Sequence, residues 1–105
     1  MCYTNLDELV DVFKTITSNK TCNVRSIYPT EDKLLLLSEK ICHQYGSLSL
    51  EFEFAEGLLN LVKMAKMAPP DYKLAYWLEF AVPNVVLSLE QKLYVIVGGF
   101  FNLAI

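Results

Sequence analysis

Residues 93–105 read Leu-Tyr-Val-Ile-Val-Gly-Gly-Phe-Phe-Asn-Leu-Ala-Ile and contain no charged side chain, with Asn102 as the clearly polar residue. A segment that is apolar on every side is typical of a protein interior. It is shorter than the ~20 apolar residues that a bilayer-spanning helix needs, and Glu90 and Lys92 precede it. We therefore expect this segment to be a buried helix against which the earlier parts of the chain pack.

Upstream of it, a first amphipathic helix is predicted over residues 5–18, where apolar side chains recur at helical spacing. Asn5 could cap this helix, and Glu8 three positions later completes a box-like start. Asp7 and Asp11 would lie on the solvent-facing side. The expected inner face comprises Leu6, Leu9, Val10, Phe13 and Ile16.

A second helix is predicted over residues 31–45. Thr30 precedes it as a cap, and Gly46 follows it at the position where a helix end favours a left-handed residue. Leu36 would point away from the core. The expected inner face comprises Leu34, Leu37, Ile41 and Tyr45.

Residues 47–54, Ser-Leu-Ser-Leu-Glu-Phe-Glu-Phe, fit two different structures. Strict alternation of polar and apolar residues indicates a strand. Ser49 could instead cap a helix with glutamates near its start and lysines near its end, the order that the helix dipole favours. We prefer the helix, in which Phe52 and Leu59 face outward and Gly57 is the weak point.

The double proline at 69–70 marks a break in the chain. Asp71 could cap a short helix that Pro83 ends. Either Asn84 or Ser88 could then cap the last helix, and Ser88 with Gln91 three positions later makes the better capping box. The inward side of the short helix is expected to comprise Leu74, Trp77, Leu78 and Ala81.

These elements predict an all-α fold, a bundle of about five helices around the apolar C-terminal helix. The alternative is an α+β fold with a strand at 47–54. The 105 residues fit one globular domain that can bury a core without disulfides or metals. Trp77, Phe100 and Phe101 are expected in that core.

The amino-acid composition and net charge argue against several classes of protein. Apolar residues make up 53% of the chain and charged residues 20%, a balance that excludes intrinsic disorder. The net charge of −3 argues against direct nucleic-acid binding, which needs clustered Lys and Arg. An acidic domain is better suited to a basic protein partner.

The cysteines and the N-terminus bear on location. Cys2, Cys22 and Cys42 form an odd set without a CxxC pair, which indicates free thiols in a reducing compartment. The first residues show neither a basic region nor an apolar region of the kind found in signal peptides. We expect a cytoplasmic protein without membrane attachment.

Catalytic and metal-binding patterns are weak. His43 follows Cys42 directly, and neighbours along a helix diverge too far to act as a nucleophile–base pair. The three cysteines lack the short ligand spacing of structural zinc sites, and Gly98-Gly99 lacks a phosphate-loop context. We therefore expect a protein that is not an enzyme and that binds no metal or cofactor.

Two features are typical of protein–protein interfaces. One is a row of aromatic residues at a spacing of four, Tyr72, Tyr76 and Phe80. The other is an acidic surface, with Leu36, Phe52 and Leu59 as exposed apolar neighbours. The residues predicted to bind a partner are Asp7, Asp11, Glu53, Glu56, Tyr72 and Tyr76.

The leading hypothesis is a small non-catalytic binding protein, of the immunity or antitoxin type, that neutralises a basic protein partner by occlusion. Carboxylates would speed its docking, and aromatic anchors would hold the complex. The main alternative is a structural subunit or homodimeric adaptor whose exposed apolar residues meet their own copies. An enzyme with a cysteine nucleophile is the weakest reading.

Overall fold

A computed structural model describes residues 4–98 of the chain. Within that range the protein has no β-strand and five α-helices: α1 (Asn5–Ser18), α2 (Thr30–Tyr45), α3 (Leu50–Ala65), α4 (Leu74–Tyr76) and α5 (Pro83–Ile96). A 3-10 helix, Val24–Ile27, precedes α2, and a π-helical turn, Trp77–Ala81, joins α4 to α5. The all-α prediction is confirmed, and the ambiguous segment is helical from Leu50 onward.

Helix α3 lies at the centre of the described structure, where it packs against α2 and α5 and also contacts α1. The rings of Phe13 and Phe54 meet edge to face, with centroids 5.5 Å apart. Leu59 is only 5% exposed, so its predicted outward orientation is wrong, and Phe52 is half-buried against the core. Coverage on several sides explains why α3 buries a long set of residues: Phe54, Ala55, Leu58, Leu59, Leu61, Val62 and Ala65.

The apolar C-terminal segment is described only as far as Gly98. In that part Val95 and Val97 are exposed, so the expectation that the segment is buried on every side is wrong for them. Helix α5 buries Leu89 and packs one face on α3, while its opposite face meets solvent. Residues 99–105, among them the two phenylalanines predicted as core, lie outside the described range.

Helix α1 has the predicted bounds, but its cap lies one residue earlier than predicted. Thr4 is the N-cap, and its hydroxyl accepts a hydrogen bond from the Asp7 backbone N–H at 3.0 Å. The Asp7 carboxylate in turn accepts from the Thr4 backbone N–H at 3.4 Å. This reciprocal capping box replaces the predicted pair of Asn5 and Glu8.

Of the other predicted helix ends, those at Gly46 and Ser49 are confirmed, and the cap at Thr30 is wrong. Gly46 ends α2 with a φ of 96°, as predicted, because glycine adopts this region without a Cβ clash. Ser49 caps α3 as predicted, since its hydroxyl accepts from the Phe52 N–H at 3.1 Å. Thr30 does not cap α2, because it is the first residue of that helix and donates its hydroxyl to the Ile27 carbonyl oxygen at 2.6 Å.

The segment after the double proline becomes helical only at Leu74, three residues later than the predicted cap at Asp71. The cause is a short antiparallel bridge with the loop after α1. The Val24 N–H donates to the Tyr72 carbonyl oxygen at 2.9 Å, and the Leu74 N–H donates to the Cys22 carbonyl oxygen at 2.8 Å. This pairing holds Lys73 in an extended conformation before the helix begins.

The π-helical turn then leads directly into α5. The Val82 N–H donates to the Trp77 carbonyl oxygen, five residues back, at 3.1 Å. Pro83 occupies the first turn of α5, where its missing N–H costs no hydrogen bond. Asn84 and Ser88, the predicted caps, therefore lie inside α5. Ala81, predicted to face inward, is exposed.

Candidate functional site

The aromatic row lies on the outside of the molecule. Tyr76 is 57% exposed and Phe80 is 67% exposed, and their ring centroids are 6.0 Å apart. Tyr72 is also exposed, whereas Trp77 packs in the core at 4% exposure. None of the described helices covers the row, so α4 and the π-helical turn bury Trp77 on one side and present aromatic surface to solvent on another.

A groove runs between α1 and α5, and we call it the α1–α5 groove. One end, of about 410 Å³, is lined by Val10, Phe13, Lys14, Glu90, Leu93, Tyr94 and Val97. The other end, of about 300 Å³, is lined by Thr17, Lys20, Ala75, Leu78, Glu79, Val86 and Glu90. Glu90 belongs to both ends, so the two halves join beside this residue.

The lining residues also give the direction of the two helices. The early part of α1 lies opposite the late part of α5, and the late part of α1 lies opposite the early part of α5. The helices are therefore antiparallel along the groove. They flank it without packing closely on each other, since both make their main contacts with other elements. Ala75, Leu78 and Glu79, from α4 and the π-helical turn, also line the far end.

The groove has an apolar floor and a charged rim. Phe13 is buried, and Val10, Val86 and Leu93 are half-buried. At the near end Asp7 and Asp11 border a shallow depression that shares Val10 and Lys14 with the groove. All charged groups along this surface are exposed; they are the carboxylates of Asp7, Asp11, Glu79 and Glu90 and the ammonium groups of Lys14 and Lys20. Carboxylates are in excess.

The structure separates the predicted binding residues into three groups. Asp7 and Asp11 lie together on α1, and the Asp7 carboxylate also takes part in the capping box. Tyr72 lies two residues before α4, and Tyr76 is the last residue of that helix. The two remaining residues, Glu53 and Glu56, are exposed on α3. Since the α4 segment adjoins the C-terminal end of α1 at Thr17, about ten residues, or ~15 Å of helix, separate it from Asp7.

The groove was not predicted from the sequence, and neither was the role of Glu79 and Glu90 in its rim. A signal for it was present in α5 and its C-cap, where Val86, Leu93 and Val97 add apolar surface on the side that lies towards α1. Apolar residues on all sides of a helix predict complete burial. They are equally typical of a helix with one face on the core and another at a binding surface.

Within residues 4–98, Cys22 and Cys42 are free thiols, both half-buried, and His43 is exposed. No three His, Cys, Asp or Glu side chains of this part converge as metal ligands. Among the helices described, none has both the length and the apolar character to cross a bilayer. No protein-family model, curated protein sequence or solved structure matches the chain.

Proposed function

We propose that this protein is a small non-catalytic binding protein, an inhibitor of the immunity or antitoxin type, that neutralises a basic protein partner by covering it. The observation that carries the proposal is the exposed pair of rings at Tyr76 and Phe80. Aromatic side chains bury a large area at a low entropy cost and are enriched at the centres of interfaces. A protein of this size gains nothing for its own stability from leaving two such rings in water.

The acidic surface supports a basic partner. The chain carries a net charge of −3, and the predicted contact carboxylates, Asp7, Asp11, Glu53 and Glu56, are all exposed. Exposed carboxylates attract a basic protein over a distance and raise its rate of association. The aromatic rings would then determine how long the complex lasts, because anchor residues act mainly on dissociation. We expect this to occur in the cytoplasm, where free thiols persist.

A structural subunit or homodimeric adaptor is the second candidate. The observation that favours it is apolar surface on other helices, at Leu35 and Leu36 of α2 and at Leu87 and Val95 of α5. Such residues could meet their copies across a two-fold axis. Sedimentation of the purified protein at several concentrations separates the candidates, because a concentration-independent dimer supports this second one.

The leading proposal is tested on the protein that co-purifies with the tagged chain. Calorimetry should show that Tyr76→Ala weakens its binding by ~2 kcal/mol or more, the usual loss for an anchor residue. Tyr45→Ala is the matched control, since Tyr45 is also exposed but lies on α2. An Asp7→Lys/Asp11→Lys variant should lower the rate of association with the partner and make that rate less dependent on salt concentration. Unchanged binding in both the Tyr76 and the aspartate variants would refute the proposal.

A further inference from the structure

We infer that the α1–α5 groove is the seat for an amphipathic helix of the partner that carries Lys and Arg along its flanks. This inference rests on the proposed function, because it specifies which element of a basic partner is recognised. It places that element beside the aromatic row, since Glu79 at the far end of the groove lies between Tyr76 and Phe80 in the chain.

The shape of the groove fits a helix. Its two walls are antiparallel α-helices, and the residues that line it run from Val10 to Lys20 on one side and from Val86 to Val97 on the other. At 1.5 Å per residue the groove is therefore about 16 Å long. A helix of about three turns would lie along it, with the side-chain ridges of one helix in the grooves of the next.

The floor of the groove calls for an apolar face on the occupant. Val10 and Leu93 are half-buried side chains on opposite walls, above the buried ring of Phe13. Tyr94 adds a half-buried ring at the same end. Apolar anchors at every third or fourth residue of a bound helix would remove these side chains from water. A polar segment would leave these apolar side chains in contact with water and would gain little binding free energy.

The charged residues at the rim favour one sign of charge on the two sides of the bound helix. Asp7 and Asp11 border the near end, Glu90 lies at the junction of the two halves and Glu79 lies at the far end. Carboxylates are therefore present along the whole length and outnumber Lys14 and Lys20, the two lysines on the α1 side. Basic flanks would meet an excess of opposite charge, and acidic flanks would meet an excess of like charge. A second copy of this acidic chain matches the rim less well.

The probe is a labelled 14-residue peptide of leucine and lysine, with leucines at helical spacing on one face. Its controls are a peptide of the same composition reordered to lack an apolar face and a version with glutamate in place of lysine. In fluorescence anisotropy the patterned basic peptide should bind the full chain at least tenfold more tightly than either control. Equal binding of the reordered peptide would overturn the inference, because charge alone would then explain the attraction.

Two charge variants locate the peptide on the protein. Asp11→Lys/Glu90→Lys changes two rim carboxylates that take no part in a helix cap, and it should weaken peptide binding at least tenfold. Asp32→Lys/Glu39→Lys makes the same change in net charge on the exposed side of α2 and should alter affinity less than twofold. An equal loss in both variants would overturn the inference.

Other occupants give different results. If residues 99–105 of the chain itself filled the groove, Phe100→Asp/Phe101→Asp would raise peptide affinity tenfold or more and overturn the inference; we expect a change below twofold. If a second copy filled it, sedimentation would show a dimer that the peptide does not dissociate, and this too would overturn it. A negative peptide result with an intact Tyr76 effect on the co-purifying partner would refute the groove assignment alone, and the proposed function would stand.

Discussion

Gly57 of α3 and Leu89 of α5 meet where these two helices pack. A Cβ atom on Gly57 would lie 2.8 Å from Leu89 Cδ2, closer than carbon atoms approach without displacement. Leu89 is only 1% exposed, so its side chain has little room to move away. A glycine that weakens an isolated helix therefore allows α5 to lie close against the centre of the structure.

This contact predicts a strong coupling between the two positions. Leu89→Ala should lower the free energy of unfolding by ~2–5 kcal/mol, since it leaves a cavity beside α3. Gly57→Ala should stabilise α3 by ~1 kcal/mol in the Leu89→Ala background, where the added methyl group has space. In the parent it should bring no gain, because the methyl group overpacks the contact.

Urea unfolding of the parent, the two single variants and the double variant measures this coupling. We expect a coupling energy of ~1 kcal/mol or more, as is usual for residues in contact. If Gly57→Ala changes stability equally in both backgrounds, the two helices do not pack at this point.

Trp77 and Tyr76 are consecutive residues with opposite environments, and they provide a matched pair. Trp77→Ala should cost ~3–5 kcal/mol, because a large core side chain is lost. Tyr76→Ala should cost within ~0.5 kcal/mol, since the ring faces water. Denaturant unfolding monitored by circular dichroism compares the two. Equal losses would mean that Trp77 does not face the core or that Tyr76 does not face solvent.

The cap of α3 can be tested in the same way with two serines. The Ser49 hydroxyl accepts from the Phe52 N–H and donates to the Gly46 carbonyl oxygen at 2.7 Å. Ser49→Ala should therefore destabilise the protein by ~1 kcal/mol. Ser47→Ala, two residues earlier and exposed, should stay within ~0.5 kcal/mol of the parent. A larger effect at Ser47 would place the start of α3 elsewhere.

Ser38 of α2 is buried, and its hydroxyl has no hydrogen-bond partner within the described part of the chain. A buried hydroxyl without a partner loses its hydration and gains nothing in return. Ser38→Ala removes this cost and introduces the best helix-forming residue. We expect a stabilisation of ~0.5–1 kcal/mol in thermal or urea unfolding. A loss above ~1 kcal/mol would show that the hydroxyl donates a hydrogen bond.

Local patterns in the sequence were sufficient for the helices and for several of their ends. The spacing of apolar residues predicts α1 to α3, and Gly46 and Ser49 act at the ends where their conformational and hydrogen-bonding preferences place them. Asp71 fails as a cap because the loop after α1 pairs with the backbone at Tyr72. Such pairing between distant parts of the chain leaves no trace in the sequence near either one.

Of the candidate site, too, some features could be predicted from the sequence and others could not. The exposure of Tyr76 and Phe80 follows from their spacing relative to Trp77 and could be predicted. The α1–α5 groove could not, because it depends on how α1 and α5 are placed across α3, and that placement depends on contacts such as Gly57 with Leu89. The prediction that Leu59 faces outward is wrong for the same reason, because the spacing of apolar residues within one helix does not show which other helices pack on it.

Hydroxyl-radical labelling of side chains, with and without the co-purifying partner, tests whether the partner covers the aromatic row, because it reports solvent exposure residue by residue. Labelling of Tyr76 and Phe80 should fall several-fold in the complex, while labelling of Tyr45 and Leu36, exposed on α2, should stay unchanged. Undiminished labelling of Tyr76 and Phe80, with protection of Leu36 instead, would contradict this prediction.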